Sequence, residues 1–449
     1  MSVVVDPGVL PDRIGEAALR KTSWRLLPLL ALGYGIAYMD RANIAFASLQ
    51  MNRDLQFSAT VYGLGGGLFF VSYALLEVPS NLLLVRFGAG RWLARIMLTW
   101  GLLAAGMMFV KTPMQFYVMR FLLGAAEAGF FPGVVFYLTL WFPAHYRGRA
   151  ISRFYVAFPI SSIVMGALAG ALLDLQGRFG LAGWQWLFLV EGLPAVALSV
   201  VIFLCLPDNP SDARWLTDAE RGWIADQLSG ERAHHQPGNV MNALRALRDP
   251  RVRQIGLANI CIMGATYAAT LSAPAVLEGV TRWPATAIGF LVSIAYVFGA
   301  IGMVWNGWRS DNRRERYLHT AIPLVGLGVG SAAMGLSNSA WVVASTYVLT
   351  VACAAASQAA FWLIPSDEFK GPLAEVGVAA IGSIGMIGAF LGPSAFGVAR
   401  DYTGGYTVGM LAVGGTYLVG AAIILYSRRT QAHTFATPAQ PSHMRQSSA

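Results

Sequence analysis

Twelve apolar runs, each about as long as a bilayer crossing requires, dominate this chain. They lie near residues 25–48, 60–84, 90–110, 114–138, 150–173, 184–206, 254–278, 286–306, 318–336, 340–363, 374–399 and 406–426. A helix of about 20 residues rises about 30 Å, the thickness of a bilayer's hydrocarbon core. Without water, only elements that satisfy their own backbone hydrogen bonds can cross that layer. The pattern predicts an all-α membrane protein of twelve transmembrane helices. Only 12% of the residues are charged, against about a quarter in a soluble domain, which argues against a large aqueous enzyme.

The net charge of +9 is spread in small clusters between the apolar runs. Nucleic-acid binding needs a basic face or tail, so this distribution marks membrane topology instead. Of the 32 Lys and Arg, 25 fall in one alternating set of connections, including Arg86, Arg91, Arg147, Arg149, Arg309, Arg313 and Lys370. The opposite set holds only Arg53, Lys111, Arg178, Arg282 and Arg400. The positive-inside rule then places both termini in the cytoplasm. The first span contains Asp40-Arg41 and lacks a small-residue cleavage site, so it is expected to stay in the protein.

One long connection divides the chain. A cytoplasmic N-terminal tail (1–24) and a six-helix bundle (25–206) are followed by a basic cytoplasmic linker (207–253). A second six-helix bundle (254–426) and a tail expected to be disordered (427–449) complete the order. Within the linker, Thr217-Asp218-Ala219-Glu220 has capping-box spacing and predicts a short helix.

Asp40, Arg41, Arg120 and Glu127 are charges inside apolar spans, and an intramembrane ionisable group is by default a hypothesis about a substrate or ion path. Arg120, Gly124 and Glu127 share one helical face, with Gly124 expected to leave room between the charges. The two charges are about 10.5 Å apart along the axis, too far to pair with each other. Arg41 and Arg120 lie at similar depth, so their planar forks can converge on one carboxylate. Tyr34 and Tyr38 share the Arg41 stripe, and Tyr73 lies mid-span in the second helix. All six His residues fall in loops or tails, leaving carboxylates as the proton-carrying groups.

Other readings compete. Asp40 and Arg120 can form a permanent structural pair, and Glu77 and Glu191 are read as structural. The three tyrosines can simply pack. The glycines of Gly63-Leu64-Gly65-Gly66-Gly67 are read as helix-contact positions. Cys205, Cys261 and Cys353 stand singly, without a metal-site or disulfide spacing. The second half has no mid-membrane charge and offers neutral candidates: Asn259, Tyr267, Thr270, Ser272, Tyr296, Gln358 and Ser383.

YMDRANIAFA, LLEVPSN, RFLLGAAEAGFFPG, GWQWLFLVEGLPA, PDNPSDARWLTDAER and GPSAFGVARDYTGGY together resemble the anion:cation symporter family of the major facilitator superfamily. Its bacterial members include tartrate, phthalate, hydroxyphenylacetate and sugar-acid permeases. The resemblance implies two pseudo-symmetric six-helix bundles with a site between them, in a bacterial inner membrane. It also implies Asp40 and Glu127 as proton carriers and Arg41 and Arg120 as anion ligands; from their own positions, Tyr38 and Tyr73 are expected to line the same substrate cavity with their hydroxyls.

The run Gly307–Arg316 looks like the superfamily's cytoplasmic signature, in which Asp311 with Arg309 and Arg313 would form a gate. Its counterpart after the second span has Val85 where the acid would stand. Span seven lacks the usual aromatic pair, and Gly382 and Met386 replace common asparagines, which favours a compact or aromatic carboxylate over a sugar acid.

The expected function is a monomeric proton-coupled symporter importing a small organic anion, such as a dicarboxylate or aromatic acid, by alternating access. No cofactor or metal is expected. The alternatives are a proton antiporter exporting an amphiphilic compound and a non-transporting membrane sensor. No nucleophile–base pair or phosphate loop supports an enzyme.

Overall fold

A computed structural model describes residues 9–232, 246, 248–369 and 372–436. Residues 1–8 of the expected N-terminal tail, 233–245 and 247 of the linker, 370–371 (with Lys370), and 437–449 of the expected C-terminal tail lie outside the described residues.

The regular structure of the described residues is helical throughout. The first half comprises α1 (Val9–Asp54), α2 (Ala59–Phe87), α3 (Ala89–Gly106), α4 (Pro113–Glu127), α5 (Phe130–Thr139), α6 (Ala144–Tyr155), α7 (Ala157–Leu173) and α8 (Gly183–Cys205). The linker helix α9 covers Asp218–Arg232. The second half comprises α10 (Pro250–Thr281), α11 (Ala285–Arg313), α12 (Tyr317–Leu336), α13 (Ala340–Phe361), α14 (Leu363–Glu368), α15 (Pro372–Thr403) and α16 (Thr407–Ala436). Spans four, five and ten are each built from two consecutive helices.

Among the described residues, eleven segments are long and apolar enough to cross a bilayer. The twelfth crossing is α1, whose apolar stretch is diluted by Asp40-Arg41 and by polar turns at both ends. At 46 residues it is about 69 Å long, far more than a bilayer, so its first turns project beyond the hydrocarbon. The final helix likewise continues to Ala436, ten residues past the expected end of its span.

The halves repeat one packing plan. In the first, α3 lies on α8, α2 on α4, and α1 on α8; in the second, α12 lies on α16, α11 on α13, and α10 on α16. The halves meet through α2 on α15 and α7 on α11, with α1 against α10. These are the pairings that a pseudo-two-fold axis along the membrane normal exchanges.

The contacts between halves gather toward the face opposite the termini. There Gly63 abuts the carbonyl of Pro393 and Gly67 that of Phe390, leaving no space for a Cβ. Gly166 and Gly289 form the equivalent contact between α7 and α11. Small residues let backbones approach within van der Waals range, which is how helices associate in lipid.

Polar clasps close the same face. Asp401 of α15 accepts hydrogen bonds from Ala59 N (3.0 Å) and Thr60 N (2.7 Å), capping the free N-terminus of α2. Arg53 pairs with Glu278 at 3.0 Å, and the Tyr62 hydroxyl donates to the Leu271 carbonyl at 2.8 Å. Beneath the clasps lies a cavity of about 390 Å³ lined by Asn52, Tyr62, Ser272, Phe396 and Arg400. On the terminal face, the pairs Arg91–Asp208, Arg316–Asp311, Arg316–Asp367 and Arg428–Glu315 each stay within one half.

The linker helix forms as its spacing predicts. Thr217 Oγ1 accepts from Glu220 N at 3.3 Å while Glu220 accepts from Thr217 N at 2.9 Å. Glu220 also meets Lys21 of α1 at 2.7 Å, fixing α9 to the first half. Burial works against the Glu220 charge, but the hydrogen bonds from Lys21 and Thr217 outweigh it and hold the carboxyl below its ordinary range. Its stabilisation is therefore complete above the unfolded value of about 4.3 and is lost as pH falls through the lower folded value. At neutral pH, Glu220→Gln should speed amide exchange in α9. Unchanged protection would mean that this bond does not dock the helix.

Gly63→Leu should part the seam between α2 and α15. In a background lacking the three native cysteines, Ser272→Cys should then react faster with an impermeant maleimide from the face opposite the termini. Equal labelling with and without the leucine would show that the glycine contact does not hold that face shut.

Candidate functional site

The buried charges pair across helices. Arg41 of α1 meets Glu127 of α4, with Nη2 and Nε each 2.7 Å from the same oxygen, Oε1. Glu127 is 0% exposed and the Arg41 side chain 19%. The other oxygen of Glu127, Oε2, has no donor.

The fourth span breaks immediately after this acid. Ala128 turns extended (ψ 130°), and Gly129 adopts φ +86°, a conformation open to glycine and strained for residues with a Cβ. A Cβ at Gly129 would also lie 2.6 Å from Ser80 Oγ. The AEAG sequence thus presents Glu127 at the end of one helix, where the next begins. A continuous span over 114–138 was expected; the break is the correction. Broken helices inside a membrane persist where the surroundings satisfy their backbone, commonly beside transport sites.

Arg120 is 2% exposed, and its Nε and Nη1 have no acceptor. Its guanidinium lies 4.8 Å from the Phe69 ring centroid, and that of Arg41 is 5.8 Å from the same ring. Phe69 is therefore a neighbour of both cations. Arg41 also lies 5.0 Å from the Tyr73 ring and 5.7 Å from Tyr38, so both expected tyrosines are beside it. Phe69 was not among the expected residues, although it sits four before Tyr73 on the same helical face. Tyr34 packs on Tyr38, Phe131 and Phe154, a core position.

Asp40 is buried near Arg120, Glu127 and Arg41, yet makes no ion pair with Arg120. Its Oδ1 accepts from Asn43 Nδ2 at 3.2 Å, and its Oδ2 has no donor. Gly124 does not leave an opening between the charges: α2 fills that space, with the Phe69 carbonyl and Ser72 hydroxyl against the glycine.

Tyr267 brings the second half to the site, its ring 4.1 Å from Phe70 and its hydroxyl in the field of Arg41. Tyr296 neighbours Tyr267. Three of the other neutral candidates lie elsewhere or bond internally, while Gln358 has its Oε1 buried without a donor. Asn259 ties α10 to the Ile381 carbonyl, Ser383 bonds within its own helix, and Ser272 lines the outer cavity.

At the terminal face, Asp311 accepts from Arg316 at 2.6 Å, and Arg316 also meets Asp367 at 3.1 Å. Arg316 is the base that organises this corner. Arg309 instead lies over the Trp305 ring at 5.2 Å, and Arg313 is exposed at the end of α11. In the first half the acid missing at Val85 comes from the end of span six: Asp208 accepts from Gly90 N at 2.8 Å and faces Arg91 at 3.6 Å. The related corner of the second half reverses the signs, with Arg428 at the chain's last span facing Glu315 at 3.4 Å.

This fold, with its buried charge cluster between packed halves, matches a known family. The Major Facilitator Superfamily model matches residues 30–393. The chain belongs to that superfamily. A putative tartrate transporter of Agrobacterium vitis is 40% identical over 431 residues, covering 95% of this chain and 94% of the relative. A quinolone resistance transporter of Acinetobacter baumannii is 38% identical, covering 91% and 95%. Among solved structures, a bacterial homologue of the human lysosomal transporter Spinster superposes with a TM-score of 0.78 at 17% identity. It covers 93% of this chain and 99% of its own, and shows the shared fold. The protein is a multi-pass membrane transporter and not an enzyme.

Removing one partner of a buried ion pair leaves an uncompensated charge, a loss of about 3 kcal/mol or more. Glu127→Leu should therefore destabilise the purified transporter strongly, and Arg41→Leu added to it should recover most of the loss. A double variant no more stable than Glu127→Leu alone would show that the pair is not what the two residues contribute.

Proposed function

We propose that the transporter is a proton-coupled symporter importing a small organic anion across a bacterial inner membrane, with both termini cytoplasmic. The observation that carries this reading is Arg120: a buried guanidinium with two nitrogens, Nε and Nη1, lacking acceptors, beside the same Phe69 ring as Arg41. Such donors in an apolar interior call for an anion, and a carboxylate accepts them bidentately. The relative named as a putative tartrate transporter supports a carboxylate substrate.

On this reading Glu127 is the coupling acid. While charged it occupies Arg41; on taking a proton it releases Arg41, which then joins Arg120 on the anion. Binding of proton and anion thus favour one another. Asp40, beside Arg120, carries the second proton. Tyr38 and Tyr73 shape the Arg41 side, and Tyr267 contributes from the second half. With both termini in the cytoplasm, the closed face is periplasmic and this conformation faces inward. The Asp311–Arg316–Asp367 corner is then a cytoplasmic element that holds helix ends of the second half together. Importing an anion against an inside-negative potential opposes the substrate by about 2.3 kcal/mol per charge per 100 mV, which accompanying protons reverse.

The quinolone resistance relative favours a second reading, proton-driven export of an amphiphilic compound. Uptake into liposomes separates the two. A carboxylate chosen by thermal-shift screening should accumulate under an inward proton gradient and be released by a protonophore. Glu127→Gln should keep binding yet lose accumulation, and Arg120→Lys should weaken binding about tenfold or more. Accumulation that survives loss of the proton gradient would remove proton symport. Expulsion of quinolones without carboxylate uptake would establish the exporter.

A further inference from the structure

The cavity on the face opposite the termini is walled by both halves and holds a cation that nothing neutralises. Its volume is about 390 Å³, within the range that takes a small molecule. Arg400 and Asp401 are the two charged residues lining it. Asp401 is committed: its oxygens accept the Ala59 and Thr60 N–H groups at the start of α2, whose partial positive charge offsets the carboxylate. Arg400 makes no ion pair or hydrogen bond among the described residues, and its guanidinium lies 4.4 Å from the centroid of the Tyr406 ring.

That ring is itself held. It stacks on Phe396 with centroids 6.5 Å apart, and it presses on Gly279 of α10, where a Cβ would lie 2.9 Å from Tyr406 Cε2. A guanidinium laid over a fixed ring keeps its N–H edges free, the geometry that grips a carboxylate through two parallel bonds.

Two neutral groups line the same space with their hydrogen-bonding capacity unused. The Asn52 side chain of α1 makes no hydrogen bond among the described residues, and its oxygen is buried without a donor. The Ser272 hydroxyl of α10 makes none either. An amide and a hydroxyl each donate and accept. A ligand hydroxyl matches them by doing both, whereas a methylene in its place leaves a buried polar group unmet. The rim residues Ser58, Asp401 and Gly404 are exposed, so the cavity is reached from this face.

We propose that this cavity is a second anion site, which takes a small hydroxycarboxylate: Arg400 holds the carboxylate, and Asn52 with Ser272 holds the hydroxyl. It is distinct from the buried charge cluster, since none of Asp40, Arg41, Arg120 and Glu127 lines it. Asn52 belongs to the first half and Arg400 and Ser272 to the second, so a bound ligand bridges the seam and favours the closed face. The inference deepens the anion-transport reading and rests on it for a part in import; binding itself does not depend on transport.

Thiol labelling of the purified transporter in detergent tests that binding. In a background lacking the three native cysteines, Ala275→Cys places a thiol in the cavity wall. Malate and tartrate should slow its reaction with a maleimide. Succinate, which lacks the hydroxyl, should need about three to ten times the concentration for equal protection, the worth of one hydrogen bond. Arg400→Gln should abolish the protection, and Arg120→Lys, in the central cluster, should keep it. Asn52→Ala should bring malate down to the level of succinate. Protection lost in Arg120→Lys and kept in Arg400→Gln would overturn the proposal, since the ligand would then act from the centre. Absence of protection by both hydroxy acids would do the same, and equal protection by succinate and malate would overturn the assignment to a hydroxycarboxylate. If Arg400→Gln loosens the clasps and labels faster without ligand, Arg400→Lys decides: it keeps the charge but loses the fork, so weaker protection is expected and full protection sinks the role of the guanidinium. Failure of proton-driven uptake leaves these outcomes unchanged, and absence of protection with symport intact removes the second site alone.

Discussion

A guanidinium placed in hydrocarbon must find an anion, and that requirement organises the first half of this transporter. Arg41 finds Glu127, 86 residues away, at the point where the fourth span stops and restarts. The pair joins α1 to α4, and Phe69 of α2 sits where it touches both arginines. Three helices are thereby registered by one ion pair and one ring. An aromatic face is attractive to cations, so Phe69 stabilises both guanidinium groups in the apolar interior.

The two halves share a packing plan yet divide the chemistry. Every charged group named at the centre belongs to the first half, while the second brings Tyr267 and, behind it, Tyr296. This division follows from solvation. Charges clustered in one rigid body keep their mutual distances while the bodies move, and the neutral partner can separate from them without stranding an ion in lipid. The corners at the terminal face are divided similarly: each half ties its own helix ends, with acid and base exchanged between them.

Much of this was legible in the chain. Apolar run length gave the crossings, and the Thr217–Glu220 spacing gave α9. Asp40, Arg41, Arg120 and Glu127 stood out because no apolar span tolerates them idly. What spacing could not reveal was partnership. Helical periodicity fixes which residues share a face but not which faces meet, so the link from Arg41 to Glu127 had to come from tertiary packing. The same limit hid Asp208, which supplies from a distant loop the acid absent at Val85. The break at Gly129 was hidden differently: AEAGFF reads as an apolar helix until Ser80 is seen pressing on the glycine. Phe69 was overlooked because an aromatic residue in a membrane helix looks like lipid-facing bulk.

Closure opposite the termini depends on an unusual kind of partner. Asp401 grips the main-chain N–H groups of residues 59 and 60, and the glycines beside it press on carbonyls, so α2 contributes its backbone more than its side chains. Such a lock is least sensitive to sequence at 59, where proline alone would erase a donor; at 58 and 60 the hydroxyls of Ser58 and Thr60 also reach Asp401. The evolutionary burden falls on the carboxylate and those two hydroxyls, leaving position 59 free to vary with whatever the outer entrance must admit.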